Sequence, residues 1–588
     1  MNFFKTFLAS CLGSLVALVV LVFLLIGFFS VLISGISTDD KVVEVADNSV
    51  LHLKLNVPIT EIEIENPFDG LPLPGAEESS VGLLSLKSSI AHAKTDPAIK
   101  GIYLEVSFFQ GGYAVAKEIR ESILDFKKSG KWVVAYSEMF SESSYYLASA
   151  ADKIYLNPEG DIEFNGLAVE VSFFKKMFDK LEIKPEIFRV GDFKSAVEPF
   201  FLDKMSDANR LQLKELIDGI NNSTKSEIAE SRKIDFSELK KIADQMLVTN
   251  PQDAQRYKLI DSLYYFDQVQ AELRTRLDLG KNKKITFVKY NKYKKSFTES
   301  ATSKNEIAVI VADGEIASGK SRDGVVGSET IAEELRKART NDKVKAIVFR
   351  INSPGGSALA SDVMWREVRL AAKEKPIIAS MSHLAASGGY YIAMGCDSIV
   401  AEPSTITGSI GVFSVLFDLS DFLDKKIGIT FDEVKTGEVG EMVTVTRPLT
   451  PFEKSIWQKR TDKIYEGFTS KAAQGRHMDV EQLRKVASGR VWTGTQAKER
   501  GLVDVLGGFN DAVSIAAKKA GIADDYKLKY YPRHKNFFAQ WLQGMEESAK
   551  ANTLKQELGE GYATYEQLKK VQHLQGTQAR MPFEFQWK

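Results

Sequence analysis

The sequence predicts an α/β protein built as two tandem repeats behind one N-terminal transmembrane helix. Three observations predict it. Strand-like and helix-like runs alternate along most of the 588 residues. Matching pairs recur at one spacing: Tyr145-Tyr146 and Tyr390-Tyr391 are identical and 245 residues apart, and Asn165-Gly166 and Ile410-Gly411, which share the glycine, are separated by the same distance. Finally, no charged residue occurs from Thr6 to Thr38.

Composition narrows the function classes. Hydrophobic content of 44% and charged content of 26% are those of an ordinary globular protein, and the length suits three or four domain-sized units. The net charge of −1, from 77 basic and 78 acidic residues, gives no general basic field to attract nucleic acid. Cys11 and Cys396 lie far apart, and the six histidines form no H-x-x-x-H pair. A disulfide framework or a zinc site is therefore not expected.

The uncharged segment comes first. Its core, Leu15 to Ile33, is long enough for a helix of about 20 residues to cross a bilayer. Lys5 precedes it and Asp39-Asp40 follow. The positive-inside rule then leaves the N-terminus in the cytoplasm and the body across the inner (cytoplasmic) membrane, on the periplasmic side if the source has an outer membrane. A cleaved signal peptide would need a shorter apolar region and a small-x-small site. Ser34-Gly35-Ile36-Ser37 is a poor version of one. Leu8-Ala9-Ser10-Cys11 resembles a lipoprotein box, but its apolar run follows the cysteine instead of preceding it. An uncleaved single-pass anchor is the reading.

The elements follow in order. Val50 to Leu55 alternates as a strand. Ile99 to Val106 is a second strand, followed by Gly111-Gly112 and an amphipathic run from Ala114 to Lys128. Trp132 to Tyr136 and a helix near Tyr145 to Ala151 come next. The second half repeats this with the strand Ile307–Val311, the helix Ile331–Arg339 and the strand Val344–Ile351. That strand ends in Asn352-Ser353-Pro354-Gly355-Gly356, and a helix runs from Ala358 to Lys373. The lysine-rich stretch Lys281 to Lys304 reads as the seam. The expected units are an anchor over 1–40, a first repeat over 41–295, a second repeat over 296–549 and a tail over 550–588.

The second half then carries Pro376 to Met381, a strand-like run, into His383-Leu384-Ala385-Ala386-Ser387-Gly388-Gly389-Tyr390-Tyr391. Small residues around Ser387 permit a tight strand-to-helix turn. A serine at a helix N-terminus sits where free N–H groups favour developing negative charge, which suits a nucleophile. Taken alone, the motif is also an ordinary capped glycine turn.

The repeat comparison separates these readings. The position 245 before Ser387 is Glu142, so the first half lacks the serine. The first half instead offers Lys194, within Gly191-Asp192-Phe193-Lys194-Ser195-Ala196-Val197-Glu198-Pro199-Phe200, and its counterpart in the second half is Val439. One half keeps a serine and the other a lysine. Two sites decaying independently need not leave that pattern, whereas one composite site would. A neutral lysine can act as general base when burial lowers its pKa. His383 reads as a surface histidine and is the alternative base.

Four segments carry a resemblance: Asn352 to Ser357, Ala385 to Tyr390, Thr407-Gly408-Ser409-Ile410-Gly411-Val412 and Lys194 to Phe200. In this order, with the duplication, the chain resembles the signal peptide peptidase A (protease IV) family in its long two-repeat bacterial form. The resemblance implies two Clp/crotonase-like repeats and a membrane-anchored serine endopeptidase that degrades cleaved signal peptides and other extended apolar peptides. It implies Ser387 as nucleophile, Lys194 as general base, Ser409 as the serine orienting the lysine, and an oxyanion hole around Gly355, Gly356 and Gly388. It implies no metal or other cofactor and no nucleic-acid partner. It also implies a homotetramer, a bowl with active sites inside and anchors at the rim. Two rivals remain: a crotonase-like acyl-CoA enzyme, which would bind CoA and work without Ser387, and an inactive scaffold. The tail, Lys550 to Lys588, does not align, and whether it docks on the body or stays mobile is left open.

Overall fold

A computed structural model of the chain describes residues 5, 7, 12–21, 23, 43–63, 80–297, 303–531 and 576–581. Most of the expected bilayer-crossing run therefore lies outside the described residues, as do both alternative processing motifs and most of the tail. No helix among the described residues is long and apolar enough to cross a membrane.

Each repeat is a sheet covered by helices, parallel throughout in the first repeat and parallel in the second except where the edge strand Val491–Thr493 runs antiparallel to Ile406–Gly408. The first sheet has the order Ser262–Leu263, Lys153–Ile162, Trp132–Phe140, Ile99–Glu105, Ser49–Lys54, Phe287–Lys289, and every pairing in it is parallel. Its central strands Ile99–Glu105 and Trp132–Phe140 are mostly apolar because both faces are buried. The helices Leu83–Thr95 and Tyr113–Lys127 cover it through Leu86, Ile90, Ile119 and Ile123. The edge strand Phe287–Lys289 lies inside the lysine-rich stretch expected to be a seam, so this part of the stretch belongs to the first repeat's sheet.

The second sheet repeats the plan. Val344–Ser353, Ile377–Ala386 and Ser398–Ala401 each begin 245 residues after Ile99–Glu105, Trp132–Phe140 and Lys153–Ile162. Ser328–Thr340 and Ala358–Ala371 bury Ile331, Leu335, Met364 and Val368 against one face. Phe509–Lys519 covers the other through Phe509, Val513 and Ala516.

A third sheet ties the repeats together. Its order is Val325–Gly327, Glu315–Ala317, Gly355–Ser357, Gly576–Arg580, Phe413–Asp418, Lys184–Arg189. The last strand belongs to the first repeat. It pairs antiparallel with the second repeat along its whole length, from Lys184 opposite Asp418 to Arg189 opposite Phe413. The fourth strand comes from the C-terminal tail, which in this segment docks on the body.

A buried ion cluster fixes the same interface. Arg350 is fully buried; its Nε donates to Glu61 Oε2 at 2.7 Å and its Nη2 to Glu118 Oε1 at 2.6 Å, both in the first repeat. Burial raises the Glu118 carboxyl, but Arg350 and Lys87 more than reverse this and hold it at about 2. Removing one partner of such a cluster leaves uncompensated buried charge. Arg350→Met is therefore expected to lower stability by about 3–5 kcal/mol, measured as a fall in the urea midpoint.

Candidate active site

The strand Ile377–Ala386 ends one residue before Ser387, and the helix Gly388–Ala393 begins one residue after it. Ser387 spans this turn with φ +54° and ψ −110°, a sparsely populated conformation for a residue with a Cβ. The turn is held by its own hydrogen bonds: Ser387 N–H donates to the Gly408 carbonyl and Tyr391 N–H to the Ser387 carbonyl, both at 2.8 Å. Glycine is required beside it. A Cβ on Gly389 would lie 2.6 Å from the Ser353 carbonyl oxygen.

Lys194 reaches this serine because the first repeat's strand Lys184–Arg189 runs into the second repeat and delivers the next residues beside the turn. Lys194 is fully buried, with Nζ 2.9 Å from Ser387 Oγ, 3.0 Å from Ser409 Oγ and 3.2 Å from the Ser409 carbonyl oxygen. Burial pushes its ammonium well below the ordinary value of 10.5, with no carboxylate contributing to restore the charge. Ser409 also has positive φ, at +49°, and its N–H donates to the Arg490 carbonyl at 2.7 Å. Ser387 Oγ in turn donates to the Gly411 carbonyl at 3.4 Å.

The lysine stem lies in a slot whose walls sequence reasoning missed. A Cβ on Gly411 would approach Lys194 Cδ to 3.2 Å, and one on Gly489 would approach Lys194 Cβ to 2.6 Å. Gln212 fixes the loop on either side: its Nε2 donates to the Phe193 carbonyl at 3.1 Å and to Ser195 Oγ at 2.8 Å, while its Oε1 accepts from Val491 N–H at 3.3 Å. In sequence, Ser488-Gly489 is an ordinary turn and Gln212 one polar residue of a helix, so neither carried a signal. Gly489 also has φ +80°. Gly489→Ala is therefore expected to displace Lys194 and lower kcat/KM about 100-fold while circular dichroism stays that of a folded protein.

The glycines expected at the oxyanion hole converge on one point. Gly355 N–H donates to Ser353 Oγ at 3.2 Å, so this amide is turned toward its own loop. A Cβ on Gly355 would lie 2.6 Å from Gly388 N and 2.1 Å from the carbonyl oxygen of Ala579. A Cβ on Gly388 would lie 3.0 Å from the same oxygen. Gly356 faces Ala579 across the antiparallel ladder.

His383 is not a surface residue. It is half-buried, and a Cβ on Gly112 of the first repeat would lie 1.9 Å from its Nδ1. Burial lowers its imidazole to about 4. The first repeat's counterpart of the serine is also occupied: Glu142 Oε1 accepts from the buried Lys225 Nζ at 3.0 Å, and Oε2 accepts from Gly166 N–H at 2.7 Å. An ion pair thus fills the place where the second repeat has its hydroxyl. Among the described residues, no group of three or more His, Cys, Asp or Glu side chains is placed to hold a metal ion.

Chemically, this arrangement sets a hydroxyl against a desolvated amine beside glycine-rich backbone. Comparison with known proteins gives the same class. The sequence model of peptidase family S49 matches residues 125–280 and 369–523, one segment in each repeat. The chain is 38% identical over 493 residues to the chloroplastic serine protease SPPA of Arabidopsis thaliana, covering 82% of this chain and 71% of that protein. It is 36% identical over 478 residues to Protease 4 of Salmonella typhi, covering 80% of this chain and 77% of that one. Protease 4 of Haemophilus influenzae is 35% identical over 466 residues, covering 77% and 74%.

Proposed function

The chain belongs to peptidase family S49 and is a serine peptidase; from that premise we propose that it is a membrane-anchored endopeptidase in which Lys194 activates Ser387 to degrade cleaved signal peptides and other extended apolar peptides. The observation carrying this reading is the 2.9 Å approach of a fully buried lysine to the serine hydroxyl.

The geometry supports the following steps. Desolvation favours the neutral form of Lys194, in which Nζ can take the proton from Ser387 Oγ as that oxygen attacks a peptide carbonyl. The Ser409 hydroxyl and carbonyl hold Nζ on line, and they stabilise the ammonium once it forms. Amides at Gly356 and Gly388 receive the oxyanion. The ammonium then protonates the leaving amine, and water, deprotonated by the same lysine, clears the acyl-enzyme. Lys194 belongs to one repeat and Ser387 to the other, so a half chain would hold half a dyad.

The anchor, the placement of the body on the periplasmic side, the Clp/crotonase-like ancestry and the homotetramer belong to the same reading. Support for the first two comes from the uncharged run between Lys5 and Asp39-Asp40, and for the last two from the family resemblance. Membership of a peptidase family sets aside the acyl-CoA and scaffold alternatives. The test is digestion of a synthetic signal peptide by the detergent-solubilised full chain, followed by mass spectrometry. Wild type is expected to cut within the apolar region and Ser387→Ala to leave the peptide whole. An untouched signal peptide, with other peptides hydrolysed, would overturn the substrate assignment.

A further inference from the structure

Arg490 stands where the supports of the two dyad residues meet. Its backbone serves the second repeat. Ser409 N–H donates to its carbonyl at 2.7 Å, and a Cβ on Gly408 would lie 3.0 Å from that oxygen and 2.7 Å from Trp492 Cδ1. The Gly408 carbonyl in turn accepts from Ser387 N–H. The Gly408–Ser409 turn, which holds Ser387 on one side and Lys194 Nζ on the other, therefore rests on Arg490 and Trp492.

The side chain of Arg490 reaches the first repeat. Its Cζ lies 4.7 Å from the ring centre of Phe193, the residue before Lys194, and 4.2 Å from that of Trp492. Both distances are within the range at which a cation is attracted to an aromatic face. Its Nη2 pairs with Glu215 on the helix Asp207–Arg232. Glu215 comes three residues after Gln212, on the same helix face, and Gln212 binds the Phe193 carbonyl and Val491 N–H. The arginine side chain is 18% exposed, so water screens these attractions only in part. An arginine suits the place because a planar cation can stack on a ring while its edge pairs with a carboxylate; the compact ammonium of a lysine cannot do both. Arg500 also lies 3.9 Å from the Trp492 ring. The contact that Arg490 adds is therefore the one to Phe193, across the repeats.

We propose that Arg490 is a positioning residue of the dyad: it clamps the loop carrying Lys194 against the turn carrying Ser409, so that the amine and the two hydroxyls keep their spacing and the lysine slot stays closed to water. The inference rests on the Ser387–Lys194 reading. Nζ stands 2.9 Å from one hydroxyl and 3.0 Å from the other, which leaves little play. Lys194 itself belongs to a short loop, between the strand Lys184–Arg189 and the single turn Ser195–Val197. Truncating the arginine side chain removes the stack on Phe193 and leaves the Glu215 carboxylate without its guanidinium. The carbonyl of residue 490 still accepts from Ser409. The loop then gains freedom relative to the turn, the amine moves off the serine hydroxyl, and water reaches it.

Steady-state kinetics with a fluorogenic peptide, together with the pH dependence of fluorophosphonate labelling, test this on the full chain. Arg490→Met is expected to lower kcat about 100-fold with KM within a few-fold of wild type. Its labelling midpoint should move up toward 10.5, because water admitted to the slot favours the ammonium. Arg490→Lys, which keeps a charge for Glu215 but gives up the stack, is expected to fall between Arg490→Met and wild type. Glu215→Gln should move both quantities in the same direction by less. A residue that only stabilises the fold would lower the urea midpoint and leave the labelling midpoint of the folded protein where it was. Wild-type kcat and midpoint in folded Arg490→Met would overturn the inference and leave the peptidase reading standing. So would a raised KM, or a lowered kcat, with an unmoved midpoint, since either places the arginine on the substrate and not on the base. If Arg490→Met does not fold, Arg490→Lys and Glu215→Gln are held to the same criteria. Wild type labelled no faster than Lys194→Met would instead overturn the Ser387–Lys194 reading.

Discussion

Ser387→Ala is expected to lower kcat toward peptides by about 10⁶-fold while leaving KM within a few-fold of wild type. The substitution removes one buried oxygen, with its 3.4 Å hydrogen bond to the Gly411 carbonyl, and leaves the turn's own backbone hydrogen bonds in place. Positive φ at residue 387 is no easier for alanine than for serine, so the strain of the turn is unchanged. Folding stability should therefore stay within about 1 kcal/mol of wild type. What disappears is the atom that forms the acyl-enzyme. The residual rate would come from the oxyanion amides and from substrate positioning, which this substitution leaves in place. Steady-state kinetics with a fluorogenic peptide, alongside a urea melt, separates the two effects. A loss smaller than about tenfold would mean that another group carries the attack.

Lys194→Met is expected to cost about 10⁴-fold in kcat/KM. Methionine matches the stem's length and keeps the slot between Gly411 and Gly489 filled, so the loss reports the amine and not a cavity. The pH dependence has a definite sign. The amine is a base only when neutral, and its folded pKa lies well below 10.5. Wild-type kcat/KM should rise with pH through that depressed value and level off before 10.5. Stability follows the same group. Keeping a charged amine out of water destabilises the folded state; this cost is full below the folded pKa and fades as pH rises toward 10.5, where the unfolded chain also loses its proton. The urea midpoint of Lys194→Met, relative to wild type, should therefore shift in the variant's favour as pH falls from 10.5 toward neutrality. A pH-independent difference would mean that the buried lysine is not desolvated as described.

The alternation of strands and helices was legible because parallel strands buried on both faces are mostly apolar, as in Ile99–Glu105 and Val344–Ser353. The 245-residue offset was legible because the central strands of the two repeats start at that spacing. The serine and the lysine stood out only by comparing the repeats, since neither motif is decisive alone. What brings them together was not legible. Lys184–Arg189 holds a proline and alternates poorly, and it is a strand because Phe413–Asp418 offers it an edge. Gly576–Arg580, with the sequence Gly-Thr-Gln-Ala-Arg, has little strand propensity of its own; two waiting edges impose its conformation. Gly489 and Gln212 act through contacts made only once the repeats meet. His383 looked exposed because its neighbour in space, Gly112, is 271 residues away in sequence.

The central claim is that a buried, neutral Lys194 activates Ser387. Its most direct measurement is the rate of covalent labelling by a fluorophosphonate probe as a function of pH, on wild type and on Lys194→Met. The account predicts labelling of wild type at Ser387, with a rate that rises to a plateau at a midpoint well below 10.5, and labelling of Lys194→Met slowed by about 10³-fold or more at every pH below that plateau. Labelling of Lys194→Met at the wild-type rate, with the same midpoint, would contradict it and place the base elsewhere.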